Sequence, residues 1–289
     1  MSKPKYYIWA SDPHATGQSW IDLVRQAQTK YPDHQSVFGG DYIDGNKQAT
    51  QTVDFVKDQV NNHGAIALLG NHEQLMTDFV EYGNLLWYIN GAKSTVKSFF
   101  GRGFSKEKTR RLLKSDDRYL FLTSLPMIYV TQHLIFVHAG VQADHLKWDD
   151  PIFYDNQKQF YLWARDEYFY QKPVKNRYFM HNLTNHVIVT GHTPTMLING
   201  EYDTNHQMIF PTANIYNEHE DFQHRPCPVV KIQYPQEPAR YFTDDGCHGA
   251  PNHHGNVCVF KNTGELVEVF NDDPKEEAYN WELDVGDWF

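Results

Sequence analysis

The first 73 residues constrain the fold most, because strand and helix patterns alternate there without interruption. Tyr6-Tyr7-Ile8-Trp9-Ala10 is a short apolar run that reads as a buried strand. Trp20 to Lys30 places Trp20, Ile21, Leu23, Val24 and Ala27 on one helical stripe. Ser36 to Phe38 reads as a second strand. Thr50 to Asn61 reads as a second helix through Val53, Phe55, Val56 and Val60, and Ala65 to Leu69 as a third strand. Strand, helix, strand, helix, strand is the pattern of parallel βαβ units. Each strand runs into polar residues: Asp12 and His14, then Asp41 and Asp44 among glycines, then Asn71 and His72. Ligands of parallel α/β sheets sit beyond the carboxyl ends of the strands, so these clusters are placed to meet in one site.

Downstream, Gln74 to Trp87, Ala92 to Phe100 and Lys106 to Thr123 carry apolar residues at helical spacing. Met127 to Gly140 reads as a hairpin turning near Gln132, its second strand ending at His138. Val187 to Val189 is another strand, ending at Gly191-His192-Thr193. Late strands are expected at Val229 to Gln233, Val257 to Phe260 and Leu266 to Phe270, the last two joined across Asn262-Thr263-Gly264. We expect one catalytic domain over residues 1–270 and an acidic C-terminal tail over 271–289.

Composition narrows the partners. A net charge of −10 over 289 residues argues against a nucleic-acid footprint, although a local cationic site or bound metal ions can still handle a phosphate ester. The odd set Cys227, Cys247 and Cys258 has no CxxC pair and fits a reducing compartment. The N-terminal apolar run is too short for a signal peptide core, and no run approaches the roughly 18 apolar residues of a membrane span. A cytoplasmic protein with no membrane contact is the expectation.

Asp12, His14, Asp41, Asn71, His138 and His192 form a mixed oxygen and nitrogen donor set. Two divalent ions sharing one carboxylate would use it, and such pairs lie about 3.5–4 Å apart and clamp the oxygens of a phosphoryl transfer. Asp41 is the candidate bridge, with Gly39 and Gly40 letting the backbone come close. Asp44 is placed one step back, where a carboxylate can fix the tautomer of an imidazole. His72 is that imidazole and the candidate acid for a leaving alkoxide.

The segments "DPH", "GGDYIDG", "GNHE", "VHAG" and "GHT" occur in that order, and together they resemble the calcineurin-like metallophosphoesterase superfamily. The closing "GHT", "WYINGAKST", "FLTSLPMIYV" and "FYLWARDEYF" resemble the bacterial and phage protein Ser/Thr phosphatase and diadenosine tetraphosphatase branch. The resemblance spans roughly residues 5 to 270 and implies a four-layer α/β fold. Its centre would be a β-sandwich of two mixed sheets flanked by helices, with a di-metal site at strand carboxyl ends. It implies one ion on Asp12, His14 and Asp41, a second on Asp41, Asn71, His138 and His192, and attack by a metal-bound hydroxide with His72 and Asp44 as the acid pair. Mn²⁺ is the metal it implies first, with Fe, Zn or Mg as alternatives.

The chain departs from the branch at Gly45 and Leu69, where protein phosphatases of this branch carry arginine. An arginine fork binds phosphate bidentately. Arg165 is the candidate replacement, beside Asn71, for holding phosphate, and Lys93 and Arg102 are lesser ones. The expected reaction is phosphomonoester hydrolysis of the protein Ser/Thr phosphatase-like type. The alternatives are hydrolysis of a dinucleoside polyphosphate, a nuclease on the same fold, and a non-catalytic metal-binding scaffold. Cys247 to Asn256 is expected as a loop at the site rim, and Trp87 and Trp163 as core.

Overall fold

The structure is a computed structural model that describes residues 3–142, 154–171, 177–202, 213–214, 229–250 and 252–271. Most of the tail, along with Cys227, lies outside the described residues. The first half of the chain runs β1 (Tyr6–Ala10), α1 (Gln18–Lys30), β2 (His34–Phe38), α2 (Ala49–His63), β3 (Ile66–Ala67), α3 (Asn71–Tyr82), α4 (Leu86–Ile89), α5 (Ala92–Phe100), α6 (Lys106–Leu113), α7 (Asp117–Thr123) and β4 (Ile128–Val130). Then come β5 (Leu134–Val137), α8 (Tyr154–Trp163), α9 (Asp166–Phe169), β6 (Val187–Thr190), β7 (Ala213–Asn214), β8 (Val230–Ile232), β9 (Arg240–Phe242), β10 (Val257–Lys261) and β11 (Leu266–Phe270).

The strands form two mixed sheets. One has five strands in the order β11-β10-β1-β2-β3, and the other has six in the order β4-β5-β6-β9-β8-β7. Side chains alternate between the faces of a strand. Tyr7 and Trp9 of β1 and Cys258 and Phe260 of β10 therefore meet Phe136, Val189 and Tyr241 of the other sheet. Trp9 stacks on Phe136 with ring centroids 5.5 Å apart. The outer face of the first sheet, through Ile8, Ala10 and Phe38, packs on Trp20, Val24, Val53 and Val56 of α1 and α2. The outer face of the second, through Ile135, Val137 and Ile188, packs on Tyr161, Tyr168 and Phe169. The result is four layers: helices, sheet, sheet, helices. Strands covered on both faces read as continuous apolar runs, as "YYIWA" does.

In each sheet three neighbouring strands run parallel. They are β1, β2 and β3 in one and β5, β6 and β9 in the other. Their carboxyl ends carry the polar clusters.

Two expectations on elements are corrected, and one strand is new. The helix expected over Gln74 to Trp87 begins at Asn71 and stops at Tyr82, because Gly83 turns left-handed (φ 75°) and its N–H closes on the Phe79 carbonyl. The helix expected over Lys106 to Thr123 is two helices, since the Asp116 side chain accepts from Arg118 N and starts a new one. Strand β9 was not foreseen. It is three residues long, and its first, Arg240, carries a charge in a buried position.

Candidate metal centre and active site

The loops after the strands are built from left-handed backbone. Asp12, His14, Asp41, Asp44 and His192 all have positive φ, between 40° and 69°. Such residues cost about 1–3 kcal/mol each and persist only where the surroundings over-determine them. Here the surroundings do. Asp12 N donates to Gly40 O and His14 N to Asp41 O, which lock the first loop to the second. The Glu73 carboxylate, buried at the start of α3, accepts from Asp41 N, Tyr42 N and Gly70 N at 2.9–3.1 Å. Glycine permits the close approach. A Cβ on Gly40 would lie 2.6 Å from Gly70 Cα, and one on Gly191 would lie 1.8 Å from Asp12 Oδ2.

All six expected metal ligands come together. Donor atoms of Asp12, His14 and Asp41 lie within 4.8 Å of one another, and so do those of Asp41, His138 and His192. Asp41 belongs to both groups, the position expected of a bridge. The Asn71 side-chain oxygen lies 2.8 Å from both His138 Nε2 and His192 Nδ1. Asn71 is the first residue of α3 rather than its N-cap. Gly70 takes that place, and the amide turns to the imidazoles.

The protons decide what these contacts mean. His138 Nδ1 lies 2.8 Å from the Gly39 carbonyl, so its ring proton is spent there. Burial drives the His138 pKa down to about 3, so the ring is neutral. Nε2 therefore presents a lone pair to Asn71 Oδ1 at 2.8 Å and to Asp41 Oδ2 at 3.5 Å, with no hydrogen between acceptors. His14 repeats the arrangement, with Nδ1 on Ile43 O and Nε2 3.6 Å from Asp41 Oδ2. Asp12 Oδ2 is buried with no hydrogen-bond partner among the described residues. Converging lone pairs with an orphaned buried acceptor are what cations satisfy, so the residues fit a divalent metal centre.

The electrostatics agree. Burial pushes Asp12 and Asp41 well above the usual carboxylate range, helped by Asp244 and Glu73 respectively. Burial also holds His14 and His192 well below the usual imidazole range, so both are neutral donors at neutral pH. Nearby positive charge would reverse the penalty on the carboxylates.

Asp44 and His72 pair as expected. His72 Nδ1 donates to Asp44 Oδ2 at 2.8 Å, which leaves Nε2 on the other side of the ring. Asp44 is fully buried and accepts two further bonds, from Trp87 Nε1 at 2.9 Å and Thr95 Oγ1 at 2.5 Å. Burial raises its pKa to about 7 against those bonds. Trp87 is core, as expected, but its indole N–H also anchors the acid pair. Thr95 has the same role, and neither carried a signal in the sequence beyond the "WYINGAKST" segment.

Arg165 stands at the break between α8 and α9. Its Nη1 donates to Thr193 Oγ1 at 2.9 Å, and it lines the metal pocket with His14, Asn71, His72 and His192. Arg102 instead lies over the Phe104 ring, and Lys93 lines a neighbouring cleft. Trp163 packs edge-on against the His192 ring at 6.4 Å. The loop from Cys247 does lie at the rim, and its His248 approaches the His14 and His72 rings at 4.8 and 5.2 Å. Asp244 also lines the pocket and went unforeseen, because the strand before it, β9, was not recognised.

Two parallel strand bundles bringing carboxylates and imidazoles to a shared metal pocket, with an acid pair alongside, define a metallohydrolase. The family model for calcineurin-like phosphoesterases matches residues 7–196, and the chain belongs to that family, whose members are phosphate-ester hydrolases. Among solved structures, a cold-active protein-tyrosine phosphatase from a Shewanella species is 14% identical. The match covers 96% of this chain and 81% of that one, at a TM-score of 0.50. A metallophosphoesterase from Sphaerobacter thermophilus is 15% identical over 94% of this chain and 89% of its own, at 0.49. A protein serine/threonine phosphatase from Saccharomyces cerevisiae is 14% identical over 95% and 82%, also at 0.49. The Shewanella likeness shows a shared fold; no substrate transfers at these identities. No curated protein matches the chain. Among the described residues no helix is long and apolar enough to cross a membrane.

Proposed function

We propose that the protein is a phosphomonoesterase that works with two divalent ions, Mn²⁺ foremost, in a reducing cytoplasmic setting. The observation that carries this reading is the packing of His138 Nε2, Asn71 Oδ1 and Asp41 Oδ2 as facing acceptors. Asp12, His14 and Asp41 would hold one ion, and Asp41, Asn71, His138 and His192 the other. Ions held there supply Lewis acidity, which acidifies water and offsets phosphate charge. The chain's own groups do the rest. Arg165, with Asn71, holds the phosphate oxygens. Water's oxygen bonds to phosphorus and releases a proton to solvent as the ester P–O bond breaks, while the leaving oxygen takes a proton from His72 Nε2, which solvent then replaces. Asp44 keeps the His72 proton on Nδ1 and stabilises the ring while it is charged. The catalytic domain of this reading spans 1–270.

Two leaving groups compete, the second in a phosphoanhydride rather than a monoester. One is a seryl or threonyl hydroxyl of a phosphoprotein, supported by the motifs shared with that branch. The other is the phosphate chain of a dinucleoside polyphosphate, favoured by the cleft beside Gly45. The test is turnover of p-nitrophenyl phosphate, a phosphothreonine peptide and bis-p-nitrophenyl phosphate by chelator-stripped and Mn²⁺-reloaded protein. Reloading should restore monoester turnover by at least a hundredfold, with the diester slower. Equal rates with and without metal, as a binding scaffold would give, contradict the reading.

A further inference from the structure

A third imidazole, that of His248, stands against His14 and His72. The three rings form a triangle, with centroids 4.8 Å apart for His14 and His72, 4.8 Å for His14 and His248, and 5.2 Å for His72 and His248. One nitrogen of each lies within 4.8 Å of the other two. Three imidazoles around one Zn²⁺, at Zn–N distances of about 2.0–2.1 Å and tetrahedral angles, have ring centres roughly 5 Å apart. All three rings line the metal pocket. His248 is brought there by the loop after β9. Gly246 N donates to Asp244 Oδ1, which turns the chain, and Asn46 Nδ2 donates to the Cys247 carbonyl, which ties this loop to the one after β2. Gly45 leaves the room. A Cβ there would lie 3.0 Å from His14 Cβ and 3.3 Å from the His248 ring.

The tautomers fit ligation. His72 Nδ1 donates to Asp44 Oδ2 at 2.8 Å and His14 Nδ1 to the Ile43 carbonyl at 3.3 Å, so both rings, when neutral, present the Nε2 lone pair. A carboxylate or carbonyl behind the ring is the usual support of a metal-bound imidazole. The same two atoms have other uses. His14 Nε2 lies 3.6 Å from Asp41 Oδ2, within the set proposed for the first ion, and His72 Nε2 is the proposed proton donor. An ion held by the three rings therefore takes His14 from the first ion, and it occupies the atom of His72 that must carry the proton. The two ligand sets also differ in chemistry. Asp12, His14 and Asp41 offer mostly carboxylate oxygen, which suits Mn²⁺ or Mg²⁺, whereas imidazole suits Zn²⁺.

We propose that His14, His72 and His248 form a further site, selective for Zn²⁺, whose filling inhibits the enzyme. It competes with the catalytic arrangement because it shares His14 with the first ion's set and blocks His72. The inhibition rests on the phosphoesterase reading above; the binding of Zn²⁺ by the three rings does not.

The test compares wild type with His248→Ala, with His248→Phe, which keeps a ring but no donor nitrogen, and with His254→Ala, which removes a nearby imidazole outside the triangle. In chelator-stripped protein, competition against a chromophoric chelator should show Zn²⁺ affinity lowered at least tenfold in both His248 variants, Mn²⁺ affinity unchanged, and neither altered in His254→Ala. In Mn²⁺-loaded protein, the Zn²⁺ concentration that halves p-nitrophenyl phosphate turnover should rise at least tenfold in the His248 variants, each measured against its own Zn²⁺-free rate. The urea midpoint of each variant separates a lost ligand from a lost fold. If turnover depends on Mn²⁺ while Zn²⁺ affinity and inhibition ignore His248, the site is wrong and the hydrolase reading stands. An equal loss in His254→Ala overturns the three-ring assignment. If Zn²⁺ affinity depends on His248 but no metal restores turnover, the Zn²⁺ site stands and the hydrolase reading falls.

Discussion

The two sheets reach the site in different ways. In the five-stranded sheet, β1, β2 and β3 are joined by the helices α1 and α2, and their ends supply Asp12, His14, Asp41, Asp44, Asn71 and His72 from one short stretch of chain. In the six-stranded sheet, β5, β6 and β9 are also parallel, but long connections separate them, and their ends supply His138, His192 and Asp244. The first sheet brings most of the carboxylates and the second brings imidazoles, with Arg165 from the helices outside it. The five-stranded sheet alone carries the three residues proposed for one ion, but those proposed for the other come from both sheets, so a two-ion site needs the sandwich to close. Backbone bonds repeat this division: Asp12 N to Gly40 O within the first sheet's loops, Gly191 N to His138 O within the second's.

The largest effect expected from breaking one side alone is on turnover. His72→Asn removes the proton donor of the first sheet while leaving every proposed ligand in place. Turnover of a substrate with a poor leaving group should fall by about 10²–10⁴. Metal content, measured by elemental analysis, should stay at the wild-type level. Full activity in that variant would remove the acid from the account.

A smaller effect comes from the second sheet, and it is on stability. Arg240 donates to the carbonyls of Tyr168, Phe169 and Met180 and so ties β9 to α9. Arg240→Met leaves those buried acceptors unsatisfied and should cost roughly 2–3 kcal/mol in urea unfolding. Activity per folded molecule should stay near wild type, because the guanidinium is not in the metal pocket. An unchanged unfolding midpoint would mean that β9 is held by packing alone.

The smallest effect per pH unit sharpens the acid side. The Asp44 pKa is raised to about 7 by burial, above the ordinary carboxylate range near 4 of the unfolded chain. Between those values the native state holds the extra proton, so the stability Asp44 contributes is full below about pH 4 and is lost as pH rises to about 7. In chelator-stripped protein, Asp44→Asn should therefore gain stability relative to wild type across that window, by at most about 1.4 kcal/mol per pH unit. Imidazoles away from Asp44 titrate in both proteins and cancel in the difference, and the comparison is made in a His72→Asn background so that the ring paired with Asp44 does not contribute. A difference that does not change with pH would contradict the raised pKa.

The same contrast explains what could be read from the sequence. Strand β1 and helix α5 were legible to the residue, because an apolar run or stripe ends there at residues that change the backbone. The proposed ligands were legible as candidates because each follows a strand and carries a donor atom. Glu73, Trp87, Thr95 and Asp244 were not. Glu73 and Trp87 fit a helix pattern equally well without a site, and their roles arise from contacts with Asp41 and Asp44 far along the chain. Strand β9 is too short for a periodicity to show, and its buried arginine runs against the usual composition of a strand interior.

The central claim is that the seam between the sheets holds two divalent ions through one shared carboxylate. The most direct measurement is metal stoichiometry by elemental analysis, after dialysis from Mn²⁺, for the wild type and Asp41→Asn. The account predicts two ions per chain in the wild type and a loss at both positions in the variant. One ion or none in the wild type, or two retained in Asp41→Asn, would contradict it.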